Sequence, residues 1–204
     1  MSLGILANEG PRSAAVERRT AETATRCELV LDGTGRAEIA TGIGMLDHLL
    51  GALARHARFD VALRCDGDLH VDDHHTAEDC ALLLGSALDR ALGDRRGIRR
   101  FGSKYAPLDE ALTRAVVDLS GRPWPAVRLD LRRERLGDLS TEAVTHVLCS
   151  FAIAARAAIH IDGLYGDNDH HVAESAFKAL ALALGEAVAR DGTDRVPSTK
   201  EVLG

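Results

Sequence analysis

Two stretches of this chain nearly repeat one another: DDHHTAED, from Asp72 to Asp79, and NDHHVAES, from Asn168 to Ser175. Both contain D-H-H-x-A-E. Imidazole and carboxylate are ligands for divalent transition metals, and along a helix residues advance about 100° per position. His74 and Glu78 therefore face the same way, and His75 and Glu78 diverge by only about 60°. Either pair can grip an ion. The adjacent histidines diverge by about 100°, which suits two different ions better than one. His170, His171 and Glu174 repeat the arrangement. A further helical histidine precedes each motif: His48 lies 26 residues before His74, and His146 lies 24 before His170. Three imidazoles and one carboxylate per ion would leave positions open on a six-coordinate metal, as a catalytic site requires and a closed structural zinc site does not. The expectation is two ions per chain. The donor set suits Mn, Fe, Co, Ni or Zn without choosing among them.

The elements that must carry these residues read as two similar halves. RRTAETATRCELVLDG and RAEIATG have strand character around a turn at Asp32-Gly33-Thr34-Gly35. Met45, Leu46, Leu49, Leu50 and Leu53 recur at helical spacing and place His48 beside an apolar stripe. FDVALRCDGDLHV reads as a strand, and Asp72 to Leu92 as a long helix ending near Gly93. ALTRAVVDLSGRPWPAVRLDL then supplies two strands around Ser120-Gly121-Arg122-Pro123. Leu139 to Ala158 reads as a helix with His146, AIHIDGLYG as a strand, and His170 to Arg190 as the last helix. Each half is strand, strand, helix, strand, helix. A repeat of about a hundred residues implies two fused, pseudo-equivalent halves, each a sheet packed against two helices in an α+β arrangement. The expected divisions are a loose tail over 1–15, halves over 16–95 and 96–192, and a C-terminal tail over 193–204. His70 and His160 fall in strands and read as structural. Asp47, Asp73 and Asp169, beside the histidines, are candidates to orient imidazoles, the last two equally to cap helices.

Composition narrows the class. At 204 residues, with 46% apolar and 27% charged residues, the chain can bury a sizeable core. A net charge of −6 with interleaved basic residues gives no reason to expect nucleic acid. DRRGIRR and RRERL, the dense basic patches, read as solvated turns. Cys27, Cys65, Cys80 and Cys149 lack C-x-x-C spacing, which favours reduced thiols and a cytoplasmic location. No apolar run has the length of a membrane span, and the N-terminus lacks a secretory signal pattern.

Taken in order, TGIGMLDHLL with RHARFD, GDLHVDDHHTAED, ALGDRRGIRRFG, PLDEAL, DLSGRP, GDNDHHVAESAFKAL and PSTK closely resemble the imidazoleglycerol-phosphate dehydratase family of histidine biosynthesis, from about Val16 to Leu203. The resemblance implies two manganese ions per chain held by His48, His74, His75, Glu78, His146, His170, His171 and Glu174. It implies a duplicated fold like domain 2 of ribosomal protein S5, and a hollow homo-oligomer of 24 subunits with metals at subunit boundaries. The implied reaction dehydrates imidazoleglycerol phosphate to imidazole acetol phosphate through a metal-stabilised imidazolate.

By the same resemblance Glu22 is the acid-base residue, although alone it reads as a surface glutamate on an edge strand. His56, Arg100, Arg122, Lys178, Ser198 and Lys200 match substrate-binding positions, the cations and donors suiting a phosphate. Singly, each of those charges would be ordinary surface. The chain departs from the family pattern at Glu201, where glycine is usual, and at Met45, where an aromatic is common. Two other readings explain the duplicated histidines: a non-catalytic, metal-assembled structural protein, and a dinuclear metallohydrolase of a phosphorylated small molecule. The first leaves Glu22, Arg100, Arg122, Lys178 and PSTK without a reason to occur together; the second keeps the metals and cations, and the resemblance argues against it.

Overall fold

The computed structural model describes residues 12–200 and 202–203. Residues 1–11 of the expected 1–15 tail, and Glu201, lie outside the described residues. Strands β1 (Ser13–Arg19), β2 (Thr23–Val30) and β3 (Ala37–Ala40) lead into helix α1 (Gly44–Ala57), then β4 (Asp60–Gly67) and α2 (His74–Leu92). The second half runs β5 (Phe101–Leu108), β6 (Ala111–Asp118), β7 (Trp124–Arg128), a two-residue ribbon of β8 (Arg135–Leu136) and β9 (Leu139–Ser140), α3 (Thr141–Ala154), β10 (Ala158–Tyr165) and α4 (Asp169–Val188).

The duplication is visible in the sheets. One has the order β1-β2-β4-β3 and the other β5-β6-β10-β7, so each half folds by the same rule. In each, the third strand pairs parallel with the fourth, and the helix between them makes the crossover such a pair needs. α1 and α2 pack on the first sheet, α3 and α4 on the second, and the halves meet through α1 against α4 and α2 against α3. Apolar and threonine side chains alternate inward along β2 and β6, while α4 buries a run of alanines from Ala173 to Ala187. Small residues let the helices come close. A Cβ on Gly85 of α2 would lie 2.6 Å from the Phe151 carbonyl oxygen of α3, and one on Gly185 of α4 would lie 3.2 Å from that of Ala57 of α1.

Each four-stranded sheet holds one strand more than its sequence suggests, and the second half adds the β8–β9 ribbon. RRTAETATRCELVLDG is a hairpin: Thr20 Oγ1 accepts the N–H groups of Glu22 and Thr23 at 3.1 and 3.0 Å, a hydroxyl-built turn with neither glycine nor proline to mark it. FGSKYAPL is β5, at the sheet edge, where Pro107 is tolerated. The first strand begins at Ser13, inside the expected loose tail. His160 lies in β10 as expected, but His70 lies in the turn after β4. The basic patches are not simple solvated turns. Arg95 is buried and bonds Asp89 at 2.5 Å and the Ala155 carbonyl at 3.1 Å, while the backbone N–H groups of Arg132 and Arg133 donate to Asp169 at the start of α4.

Candidate metal centre

The motif helices start where their sequence says they should. Asn168 caps α4 by accepting the His170 N–H at 3.0 Å, and Asp72 does the same for His74 of α2 at 2.9 Å. Fixing the first turn fixes the direction of the histidines it carries. His170 and Glu174 then sit four apart on one face of α4, as do His74 and Glu78 on α2.

The two halves exchange histidines. His48 of α1 joins His170 and Glu174 of α4, and His146 of α3 joins His74 and Glu78 of α2; in each trio the ligand atoms lie within 4.8 Å of one another. His48 Nε2 is 2.9 Å and His170 Nε2 3.2 Å from Glu174 Oε2, and His146 Nε2 is 2.9 Å from Glu78 Oε1. The ring centroids are 5.6 Å apart for His48 and His170, and 4.7 Å for His74 and His146. Both trios lie at contacts between halves, so the fusion is what assembles them. Their donors, two imidazole nitrogens and one carboxylate oxygen converging on one space, fit a divalent transition metal.

The adjacent histidines part company, as the helical angle requires. His75 Nδ1 is 3.0 Å from Asp68 Oδ2 and His171 Nδ1 is 2.7 Å from Glu110 Oε2, and neither belongs to its neighbour's trio. The Asp68 hydrogen bond raises the pKa of His75. Hydrogen bonds from His171 and from the Asn168 N–H hold Glu110 at about 2. Neither carboxylate was expected to take part. The signal lay in the Asp66-Gly67-Asp68 turn and in PLDEAL, but only the fold shows which imidazole each meets. The aspartates expected to orient imidazoles do other work. Asp47 accepts Thr41 Oγ1 and N–H, Asp73 accepts the Ser140 N–H, and Asp169 holds the Arg132 and Arg133 backbone. Asp73 occupies the N-cap position of α2, but its side chain makes no cap hydrogen bond.

Glu22 stands at the tip of the β1–β2 turn, 3.8 Å from His75 Nε2, with its side chain half exposed. Asp79, which ends the first motif, explains how that tip is held. Its buried carboxylate accepts hydrogen bonds from Arg18 and from Thr23 Oγ1, on either side of the turn. The second half has Ser175 in that place, bonded to Thr113 at 2.7 Å.

Lys178 lies beside the first trio, its Nζ 2.7 Å from Glu174 Oε1. Burial alone would push the Glu174 carboxyl up, but hydrogen bonds from Lys178 and His48 together hold it at about 2. His56 faces the same region; its pKa is lowered by burial and then by the charge of Lys178. Arg100 forms another group. It grips Asp118 through Nε and Nη2 at 2.6 and 3.0 Å and reaches the Pro197 carbonyl at 2.8 Å, which ties the C-terminal segment bearing Ser198 to the second sheet. Ser198 Oγ accepts the Lys200 N–H at 3.1 Å. Arg122 is exposed in the turn after β6. Among the described residues no hydrogen bond or ion pair joins Arg100, Arg122, Ser198 or Lys200 to either trio.

Comparison with known proteins meets this geometry. The family model described as imidazoleglycerol-phosphate dehydratase matches residues 41–184, a span that holds all eight expected ligands. A protein of that name from Phytophthora nicotianae is 57% identical over 194 residues, 95% of this chain but 43% of that longer protein. One from Methylobacterium radiotolerans is 53% identical over 194 residues, covering 94% of this chain and all of its own length. The crystal structure of IGPD from Pyrococcus furiosus superposes with a TM-score of 0.80 at 34% identity, covering 92% of this chain and 100% of that one.

Proposed function

Because this chain belongs to the imidazoleglycerol-phosphate dehydratase family, a family of hydro-lyases in histidine biosynthesis, we propose that it dehydrates imidazoleglycerol phosphate to imidazole acetol phosphate with two bound manganese ions. The observation that carries this reading is the pair of matching trios, His48 with His170 and Glu174, and His74 with Glu78 and His146. Each offers three donors and lacks the fourth that its motif supplies, because His75 and His171 turn away. A second copy of the chain would supply them. This supports a homo-oligomer with metals at subunit boundaries, and we take 24 subunits as its size. A reducing cytoplasm suits the four free thiols.

Manganese, when bound, would supply the positive charge that stabilises the substrate's ring as an imidazolate, the electron-rich form able to push hydroxide off an otherwise unactivated carbon. The chain's own groups do the rest. Glu22 is the proton carrier: a carboxylate at the tip of an anchored hairpin, beside His75, is placed to take the proton of the carbon adjacent to the one that loses hydroxide, leaving an enol that becomes the ketone. Lys178 and His56 lie next to the first trio and suit the polar end of the substrate. Arg100, Arg122, Ser198 and Lys200 are the phosphate group's partners, with Arg100 also holding the tail that carries the last two. The experiment is product identification: incubate the manganese-loaded protein with imidazoleglycerol phosphate and follow the mixture by NMR. A ketone signal with no free phosphate is expected. Release of inorganic phosphate without a ketone would replace the dehydratase with a hydrolase.

A further inference from the structure

The second histidine of each motif is held in the same way twice, by carboxylates from unlike places. Asp68 follows β4 in the first half, whereas Glu110 sits in the β5–β6 turn of the second. Each accepts from Nδ1, at 3.0 Å from His75 and 2.7 Å from His171. Glu110 is itself fixed, since its Oε1 accepts the N–H groups of Asp167 and Asn168 at 3.2 and 2.8 Å, just before α4. An ionised carboxylate can only accept, so the proton resides on Nδ1 and the lone pair is left on Nε2. Duplication does not explain the match, because the residues that make it are not equivalent in the repeat. At the opposite nitrogen the halves agree again: Glu22 Oε1 is 3.8 Å from His75 Nε2, and Asp109 Oδ2 is 3.8 Å from His171 Nε2.

We infer that Asp68 and Glu110 are positioning residues, which set the tautomer and direction of His75 and His171 so that each presents Nε2 outward as a ligand for a metal shared with a second copy of the chain. The inference rests on the metal reading above. Neither carboxylate touches a metal or the substrate; each acts through its histidine.

The test compares full-length wild type with Asp68→Ala, Asp68→Asn, Glu110→Ala and Glu110→Gln. Mn²⁺ alone is titrated calorimetrically into chelator-stripped protein, with a circular dichroism melt as the check on folding. Two tight ions per chain are expected for wild type. The alanine variants should remain folded and bind manganese about 10- to 100-fold more weakly, with asparagine and glutamine recovering most of that loss because their carbonyl still accepts from Nδ1. Glu110 also anchors backbone before α4, so Asp68, whose carboxylate among the described residues holds only His75, is the decisive arm should Glu110→Ala fail to fold. Wild type with two tight ions and a folded Asp68→Ala of unchanged affinity would overturn the positioning role alone. Wild type that binds no manganese would overturn that role and the metal reading together.

Discussion

Glu22 and the eight proposed ligands ask for different things at the level of single side chains, and substitution separates them. Glu22→Gln keeps size and hydrogen bonding but removes the base, and no trio includes Glu22. Turnover should fall by about 10²- to 10⁴-fold with manganese content unchanged, which steady-state kinetics paired with elemental analysis will show. Near wild-type turnover would take the role from Glu22. Arg122→Ala should raise KM while leaving the metals in place, whereas metal loss would make Arg122 a structural residue. The convergence of His74 with Glu78 and of His170 with Glu174 was legible in the sequence, because four-residue spacing on a helix has one geometric meaning. Asp68 and Glu110 were not, because a hydrogen bond between a turn and a helix leaves no periodic trace. Asp47, Asp73 and Asp169 misled for the same reason: adjacency in sequence put them beside histidines that their side chains do not meet.

At the scale of elements, the trios exist only where helices of opposite halves approach. Gly85 on α2 is a point of close approach to α3, where a methyl group would meet the Phe151 carbonyl at 2.6 Å and Ala154 Cβ at 2.8 Å. Gly85→Ala should therefore cost about 1–3 kcal/mol through overpacking, despite alanine's better helix propensity. Thermal unfolding should show a midpoint several degrees lower. Metal affinity should weaken too, since His74 and Glu78 of α2 meet His146 across this contact. An unchanged midpoint would mean the helices separate freely. The helices were readable from their apolar spacing and terminal caps. In the two main sheets, two strands were missed for physical reasons: the β1–β2 turn is closed by the Thr20 hydroxyl, and β5 carries a proline that only an edge strand accepts.

Across the whole molecule, the repeat predicts the two-sheet plan, and the exchange of histidines between halves is what it leaves open. Spacing alone cannot tell whether His48 serves the motif of its own half or the other; the packing of α1 on α4 decides for the other. Acid should loosen this assembly through carboxylates held by cations. Asp162, between Arg114 and Arg128 on the second sheet, has its pKa lowered chiefly by the Arg114 hydrogen bond. A lowered folded pKa means its stabilisation is complete above the unfolded value of about 3.9 and is lost as pH falls through the folded one. The melting difference between wild type and Asp162→Asn should thus be steady from neutral pH to about pH 5 and shrink below about pH 4. A difference that grows in acid would contradict that sign.

The most direct test of the account is the rate of ketone formation from imidazoleglycerol phosphate by chelator-stripped protein, measured with and without added Mn²⁺. The two trios predict negligible product from the stripped protein and a rate restored as manganese approaches two ions per chain. Full turnover without metal, or a folded protein holding two manganese ions per chain that forms no ketone, would contradict it.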